Sequence, residues 1–324
     1  MPKRPVVVYF YSGGFVLGRM DSPVPQTYPV MDVHPDVDYV TVLLNYRMNA
    51  FGFLPGAAVM DDEGSDLNVG LLDQQAALSW VRSNIAAFGG DPEEVTIWGQ
   101  SAGAGSVLAH SIAHGGATHP KLFRKAIAAS PYWPRVYEYD SPEAEDLYAE
   151  FVDAAGCKDA EAPLACLKDA EMEVILQAAD TIRYSKRYTT STYAWAPVID
   201  GDFLRESLSS ALEAKHLNPE VAIGTWNLHE GIYFVPDDLT NGKGEYNSTD
   251  AGFEGWLAGF VPGLSAESIE KVHELYPKES KDEYDTVKGR ASFVYRDVVL
   301  ACPSYWLAQA ADIGYSAEYQ ISPA

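Results

Sequence analysis

Short, nearly continuous apolar runs alternate with longer amphipathic stretches along the first 130 residues. PVVVYFY at Pro5–Tyr11 and YVTVLLNY at Tyr39–Tyr46 are rich in β-branched and aromatic residues. Runs with no polar alternation predict strands covered on both faces, as in parallel sheets. GLLDQQAALSWVRSNIAAF at Gly70–Phe88 places Leu71, Leu72, Ala76, Leu78, Trp80, Val81 and Ile85 largely on one side, which predicts a helix. Gly89-Gly90 ends it, and Asp91-Pro92 opens the turn into the next strand, Val95–Trp98. A helix then starts near Ala102, and Phe123–Ala129 is the following strand. Strand and helix in alternation predict an α/β fold, a doubly wound and mostly parallel sheet. Ligands of such sheets bind at the carboxyl ends of the strands.

Further on the pattern thins. Ser141–Arg187 is rich in Ala, Glu and Asp and predicts short helices, a cap-like region over the sheet at about 137–192. Glu206–His216 reads as helix, Glu220–Thr225 as strand, Phe293–Leu307 as one helix containing Cys302, and Tyr315–Gln320 as the start of a strand. Residues Met60–Asn68 read as an acidic loop. The whole chain, 1–324, reads as one domain.

The chemistry enters between strand and helix. Gly99-Gln100-Ser101-Ala102-Gly103 fits G-x-S-x-G, with a strand before it and a helix after it. In a nucleophile elbow the glycines allow close strand–helix packing while the turn pushes the serine hydroxyl outward. The next N–H, that of Ala102, opens a helix and points where negative charge develops. The Pro5–Tyr11 strand leads into Tyr11-Ser12-Gly13-Gly14-Phe15. Paired glycines there suit a plain turn; beside an elbow they suit an oxyanion loop, with Gly13 and Gly14 N–H groups joining that of Ala102.

Charge narrows the partners. Lys+Arg is 23 against Asp+Glu 46, a net charge of −23, and no basic patch interrupts it. Nucleic acid is excluded as a partner by repulsion. No apolar run reaches the ~18 residues of a membrane-spanning helix, and the first residues lack a signal-peptide pattern. Cys157 and Cys166 stand close enough to close a loop, and either a disulfide or two free thiols fits the sequence. No metal-ligand spacing is present and no cofactor is implied. Asn247-Ser248-Thr249 is a glycosylation sequon. Acidity, the cysteine pair and the sequon lean together towards a secreted protein.

Three stretches carry a more specific signal: the strand followed by YSGGF, NYRMNAFGFL, and GLLDQQAALSWVRSNIAAFGGDPEEVTIWGQSAGA. They resemble the type-B carboxylesterase family, which includes cholinesterases and fungal lipases. The likeness is dense from Pro5 to Pro134 and sparser to about Leu307. It implies an α/β-hydrolase fold and hydrolysis of small-molecule or lipid esters through a Ser–Glu–His triad and an acyl-enzyme, with Ser101 as nucleophile. It implies pairing of Cys157 with Cys166 and leaves Cys302 without a partner. The family's acid lies in a D-E-G segment; carried over, it is Glu230, followed by Gly231, with His229 in place of the Asp. The base histidine follows Glu230 well downstream in this order of triads. Beyond Glu230 the sequence has only His273, inside the helical stretch SAESIEKVHELY, where a packing role fits better. The base therefore has no match here, and the likeness implies a domain cut short at both ends. Loss of the triad histidine lowers kcat on the order of 10⁶-fold.

Two residues depart from the family pattern near the nucleophile: Ser12 where Gly is usual, and Gln100 where an acidic residue is common. Tyr132, Trp133 and Arg135 suit an acyl pocket or plain packing equally. Two other readings remain beside the esterase: a non-catalytic binding module of cholinesterase type, and an inactive truncated fragment. Survival of Ser101, Gly13 and Gly14 argues against the first.

Overall fold

A computed structural model of the chain describes residues 3–21, 32–34, 37–182, 193–236, 239, 249–280 and 283–320. Among the described residues six strands form one sheet: β1 (Arg4–Phe10), β2 (Val40–Leu43), β3 (Gly90–Ser101), β4 (Lys125–Pro131), β5 (Val221–Asn227) and β6 (Ile313–Tyr319). Their order is β2-β1-β3-β4-β5-β6, and every neighbouring pair is parallel. The first strand lies one in from an edge; the chain steps out to that edge with β2, returns past β1 to β3 and then walks to the other edge. The fold is thus the α/β, doubly wound parallel sheet that the apolar runs require.

The helices between strands are α1 (Asn49–Phe53), α2 (Ala57–Met60), α3 (Val69–Asn84), α4 (Ala102–Gly116), α5 (Pro142–Ala154), α6 (Pro163–Asp169), α7 (Met172–Ile182), α8 (Leu208–Glu213), α9 (Asp250–Phe260), α10 (Ala266–Leu275), α11 (Val287–Arg296) and α12 (Cys302–Ala310). α4 packs on β1, β3 and β4, and α12 on β4, β5 and β6. Both approach closely because the sheet is small-residued there. A Cβ on Gly224 of β5 would lie 2.1 Å from the Ser304 carbonyl oxygen of α12. Val6, Val8, Val95, Ile97, Ala126, Ala128 and Ala222 are buried in the common core.

Two stretches differ from the sequence expectation. Gly70–Phe88 is not one helix: α3 ends at Asn84, and a 3₁₀ turn, Ile85–Phe88, runs to Gly89 at φ +82°. Phe293–Leu307 is split into α11, a π turn at Asp297–Ala301, and α12. Pro303 explains the break: it has no N–H to donate to the Val299 carbonyl four residues back. That carbonyl instead accepts from Trp133 N at 3.1 Å, tying the exit of β4 to the helix pair.

Between β4 and β5, Ser141 caps α5 by accepting from Ala144 N. Cys157 and Cys166 form a disulfide between the exit of α5 and α6, and Phe151 packs edge-on against Trp195. Cys302 is free. The remainder of the 137–192 region, from 183 on, lies outside the described residues, as does Asn247.

Candidate active site

β3 delivers Ser101 at its last position, and α4 starts at Ala102. Ser101 sits at φ 56°, ψ −125°, a conformation that a residue with a Cβ adopts only under strain. The flanking glycines are required sterically. A Cβ on Gly99 would fall 2.2 Å from the Gly103 backbone, and one on Gly103 would fall 2.0 Å from the Phe10 carbonyl oxygen. Phe10 is paired with Gly99 across β1 and β3, so the chain leaves β1 beside the elbow. There Gly13 at φ +120° and Gly14 at φ +63° reverse its direction. The Gly13 carbonyl accepts from Val16 N at 3.0 Å and Leu17 N at 3.1 Å. The Cβ position of Gly14 is already filled by the ring of Tyr193, 2.2 Å away. The Ala102 N–H, in the first turn of α4, belongs to the donors a helix cannot satisfy internally.

Ser12 and Gln100, the two departures from the family pattern, touch each other. The Ser12 hydroxyl donates to the Gln100 main-chain oxygen at 3.0 Å and also bonds the Gln100 side-chain oxygen. The glycine loop is thereby tied to the residue preceding the nucleophile.

The carboxylate arrives from two strands away. β5 ends at Asn227, and a 3₁₀ turn, Glu230–Tyr233, follows. Gly231 lets this turn lie on α11: a Cβ there would be 1.9 Å from the Ser292 carbonyl oxygen. Glu230 Oε1 accepts from Asn227 Nδ2. The Ser130 hydroxyl, at the end of β4, also bonds the Glu230 carboxylate and accepts from Asn227 Nδ2 at 3.3 Å. Ser130 is buried with φ +48°, a second strained position at this end of the sheet. Glu230 Oε2 is buried and has no hydrogen-bond partner among the described residues. Burial pushes the Glu230 pKa up; the bonds from Ser130 and Asn227 and the positive charge of Arg296 oppose the rise.

Ser101 and Glu230 line one cavity of about 350 Å³, together with Gln100, Ser130, Asn227, His229, Tyr319 and Gln320. Ser130, Asn227 and Arg296 escaped the sequence reading. Each is a lone polar residue at the end of an apolar run or inside a helix, with no spacing to mark it.

Of the seven histidines, only His229 lines this cavity, and its ring stands edge-on to Phe293. His110 is buried against Phe10 and Phe203 and bonds Gln74. Burial pushes its pKa down to about 3, so it packs as a neutral ring. His114 bonds Gln75, His216 bonds Glu206, and His273 bridges Arg290 and Glu254. Tyr132 is buried, and its hydroxyl accepts from Tyr193 N at 2.8 Å. Trp133 and Arg135 line a separate cavity of about 630 Å³. Among the described residues no group of three or more His, Cys, Asp or Glu is placed to hold a metal ion, and no helix is long and apolar enough to cross a membrane.

Comparison with known proteins agrees with this geometry. The model of the carboxylesterase family matches residues 1–320. A secreted triacylglycerol lipase of Gibberella zeae is 36% identical over 70% of this chain and 37% of its own length. A carboxylesterase of Penicillium expansum is 31% identical over the whole chain and 56% of its own. The crystal structure of Aspergillus niger EstA superposes with a TM-score of 0.78 at 29% identity, over 95% of this chain and 57% of that one. The chain thus spans roughly half, or less, of the proteins it matches. With an elbow, a glycine loop and a parallel sheet of this order, the chain belongs to the carboxylesterase family.

Proposed function

We propose that this chain carries the nucleophile and the acid of an ester-hydrolysing triad, Ser101 and Glu230, with Gly13, Gly14 and Ala102 N–H groups as the oxyanion hole. The observation that carries the reading is Glu230, which lines the cavity that also holds Ser101 and keeps one carboxylate oxygen, Oε2, buried without a donor among the described residues. A carboxylate is left in that state where it is meant to accept the N–H of an imidazole and stabilise it when charged. Ser101 Oγ bonds the ester carbonyl carbon as its proton passes to that imidazole. The carbonyl oxygen becomes negative against the three N–H groups. The carbon–oxygen bond to the alcohol then breaks, and the alcohol leaves with the proton. Water attacks the acyl-enzyme by the same route and releases the acid. No metal or cofactor takes part. The imidazole has no counterpart among the seven histidines of this sequence. The helices of residues 137–182 are the described part of the cap of the site. The protein works outside the cell: relatives named as secreted, the Cys157–Cys166 disulfide and the Asn247 sequon support this.

The test is acylation by p-nitrophenyl butyrate, followed by intact-mass and peptide analysis, with and without added imidazole. Imidazole is expected to accelerate acyl transfer to Ser101 in the parent and not in Ser101→Ala. Without it, turnover stays on the order of 10⁶-fold below that of a complete triad. Acyl label that persists in Ser101→Ala overturns the nucleophile. Unaided turnover above about a hundredth of an ordinary esterase would make one of the seven histidines the base, and overturn the missing imidazole.

A further inference from the structure

Arg296, the last residue of α11, is nearly enclosed, with 12% of its side chain exposed. Its Nε donates to Asp297 Oδ1 at 2.7 Å, and its guanidinium lies over the Phe293 ring, 4.3 Å from the centroid. Nη1 donates to the Leu228 carbonyl at 3.2 Å and stands 3.7 Å from Glu318 Oε2. Leu228 is the first residue after β5, two before Glu230, and its N–H donates to the Tyr319 carbonyl of β6 at 3.0 Å. Glu318 in turn accepts from Trp226 Nε1 at 2.8 Å. The loop that aims Glu230 is therefore gripped on both sides. β6 holds its N–H, and Arg296 holds its carbonyl while being held by carboxylates from α11's exit and from β6.

We infer that Arg296 is the positioning residue of the acid: it fixes the Leu228–Glu230 loop between α11 and β6 and sets a buried positive charge behind Glu230. The need follows from the site's own layout. Glu230 is pulled out of water, with one oxygen tied to neutral donors and the other free. The bonds from Ser130 and Asn227 meet part of that cost, and a nearby guanidinium lowers it further without occupying the second oxygen. Arginine suits the task because it stays charged when buried and its fork can bond a carbonyl and face a carboxylate at once. The other charged or titratable groups around Glu230 are His229 and Tyr233 on its own turn, Glu318 and Tyr319 on β6, and Asp297 beyond Arg296; the groups from β3, β4 and β5 are the neutral Ser101, Gln100, Ser130 and Asn227. Arg296 is the cation whose charge reaches Glu230 from outside that turn.

The inference rests on Glu230 being the acid of the proposed triad, so its test is read without turnover. The Glu230 carboxyl is followed by ¹³C NMR in pH titration of the full chain labelled at Glu Cδ, with Glu230→Gln identifying the resonance. Arg296→Lys keeps the charge and loses the fork; Arg296→Gln keeps a donor and loses the charge. The titration midpoint is expected to rise by roughly half a pH unit in Arg296→Gln, since the arginine's charge opposes the burial less than the Ser130 and Asn227 bonds do, and to stay near the parent's in Arg296→Lys. In acyl transfer, the acidic limb of the pH profile moves up with it. A midpoint unmoved in Arg296→Gln, or raised equally in both variants, overturns the inference. Arg296→Met repeats the neutral arm if Arg296→Gln is recovered unfolded. If Glu230 is not the acid, acyl transfer ignores Glu230→Gln while the titration still reports on Arg296, so the two failures are told apart.

Discussion

The two ends of the candidate site are built by different physics. At the elbow, shape decides. Gly99 and Gly103 are the residues that fit, and Ser101 is forced to φ 56° because strand and helix meet with no room between them. At the acid, polarity decides. Glu230 is surrounded by Ser130, Asn227 and Arg296, and its placement depends on hydrogen bonds and a buried charge. At the elbow the strain lies in the nucleophile's own backbone; at the acid the carboxylate itself bears an unfavourable desolvation. Both oppose folding, and both are what make the groups reactive.

The contrast breaks first, and with the largest effect, on substitutions that add or remove bulk. Gly103→Ala puts a methyl 2.0 Å from the Phe10 carbonyl, and backbone on both sides must shift. We expect a loss of about 3 kcal/mol in urea unfolding. Asn227→Ala, the equivalent disturbance at the acid, removes the hydrogen bonds to Glu230 and Ser130 and is expected to cost about 1–2 kcal/mol. Equal costs would show that sterics govern both ends.

The next test separates the two kinds of stored energy by pH. Ser101→Gly relieves a strain of about 1–3 kcal/mol, less the extra chain entropy of glycine at about 0.5–1 kcal/mol, a net gain of about 1 kcal/mol at any pH. Glu230→Gln removes a carboxyl whose pKa in the folded chain is raised by burial. A group of that kind favours folding fully only while protonated, below its unfolded value near pH 4.3, and its contribution is lost as pH rises through the folded value. Glu230→Gln should therefore match the parent at about pH 4 and exceed it in stability towards neutral pH. Thermal unfolding of both variants across that range checks the pair: a gain from Glu230→Gln that is flat with pH would remove desolvation as its cause.

The same division explains what was readable in the sequence. Steric demands leave a mark in composition, because only glycine meets them: Gly99, Gly103, Gly13 and Gly14 announced the elbow and its loop. The parallel sheet was readable for a similar reason, since a strand buried on both faces excludes polar residues. Glu230 was found only through resemblance, as a single Glu in a polar turn looks like any solvated one. Ser130, Asn227 and Arg296 were not found at all: a hydrogen bond between neighbouring strands sets no spacing along the chain. The breaks at Ile85 and Asp297 were missed because helical periodicity persists through a 3₁₀ or π turn, although Pro303 was there to mark the second.

The finest distinction lies where the elbow meets its own polar contact. Ser12 brings a Cβ into a loop usually built from glycine, and Gln100 is neutral where an acid is common; the Ser12 hydroxyl bonds both oxygens of Gln100. If the pair acts as one unit, Ser12→Ala and Gln100→Ala are each expected to cost about 0.5–1 kcal/mol, and the double variant no more than about 1 kcal/mol. Strict additivity in urea unfolding would mean that the two substitutions are independent. A coupling near the single-variant cost would mean that the glycine loop is held to the nucleophile by a side chain, where an acidic neighbour would hold it at the expense of a negative charge beside the forming oxyanion. The elbow would then be steric in its turn and polar in its loop, and the boundary between the two kinds of construction would run between Ser12 and Gly13.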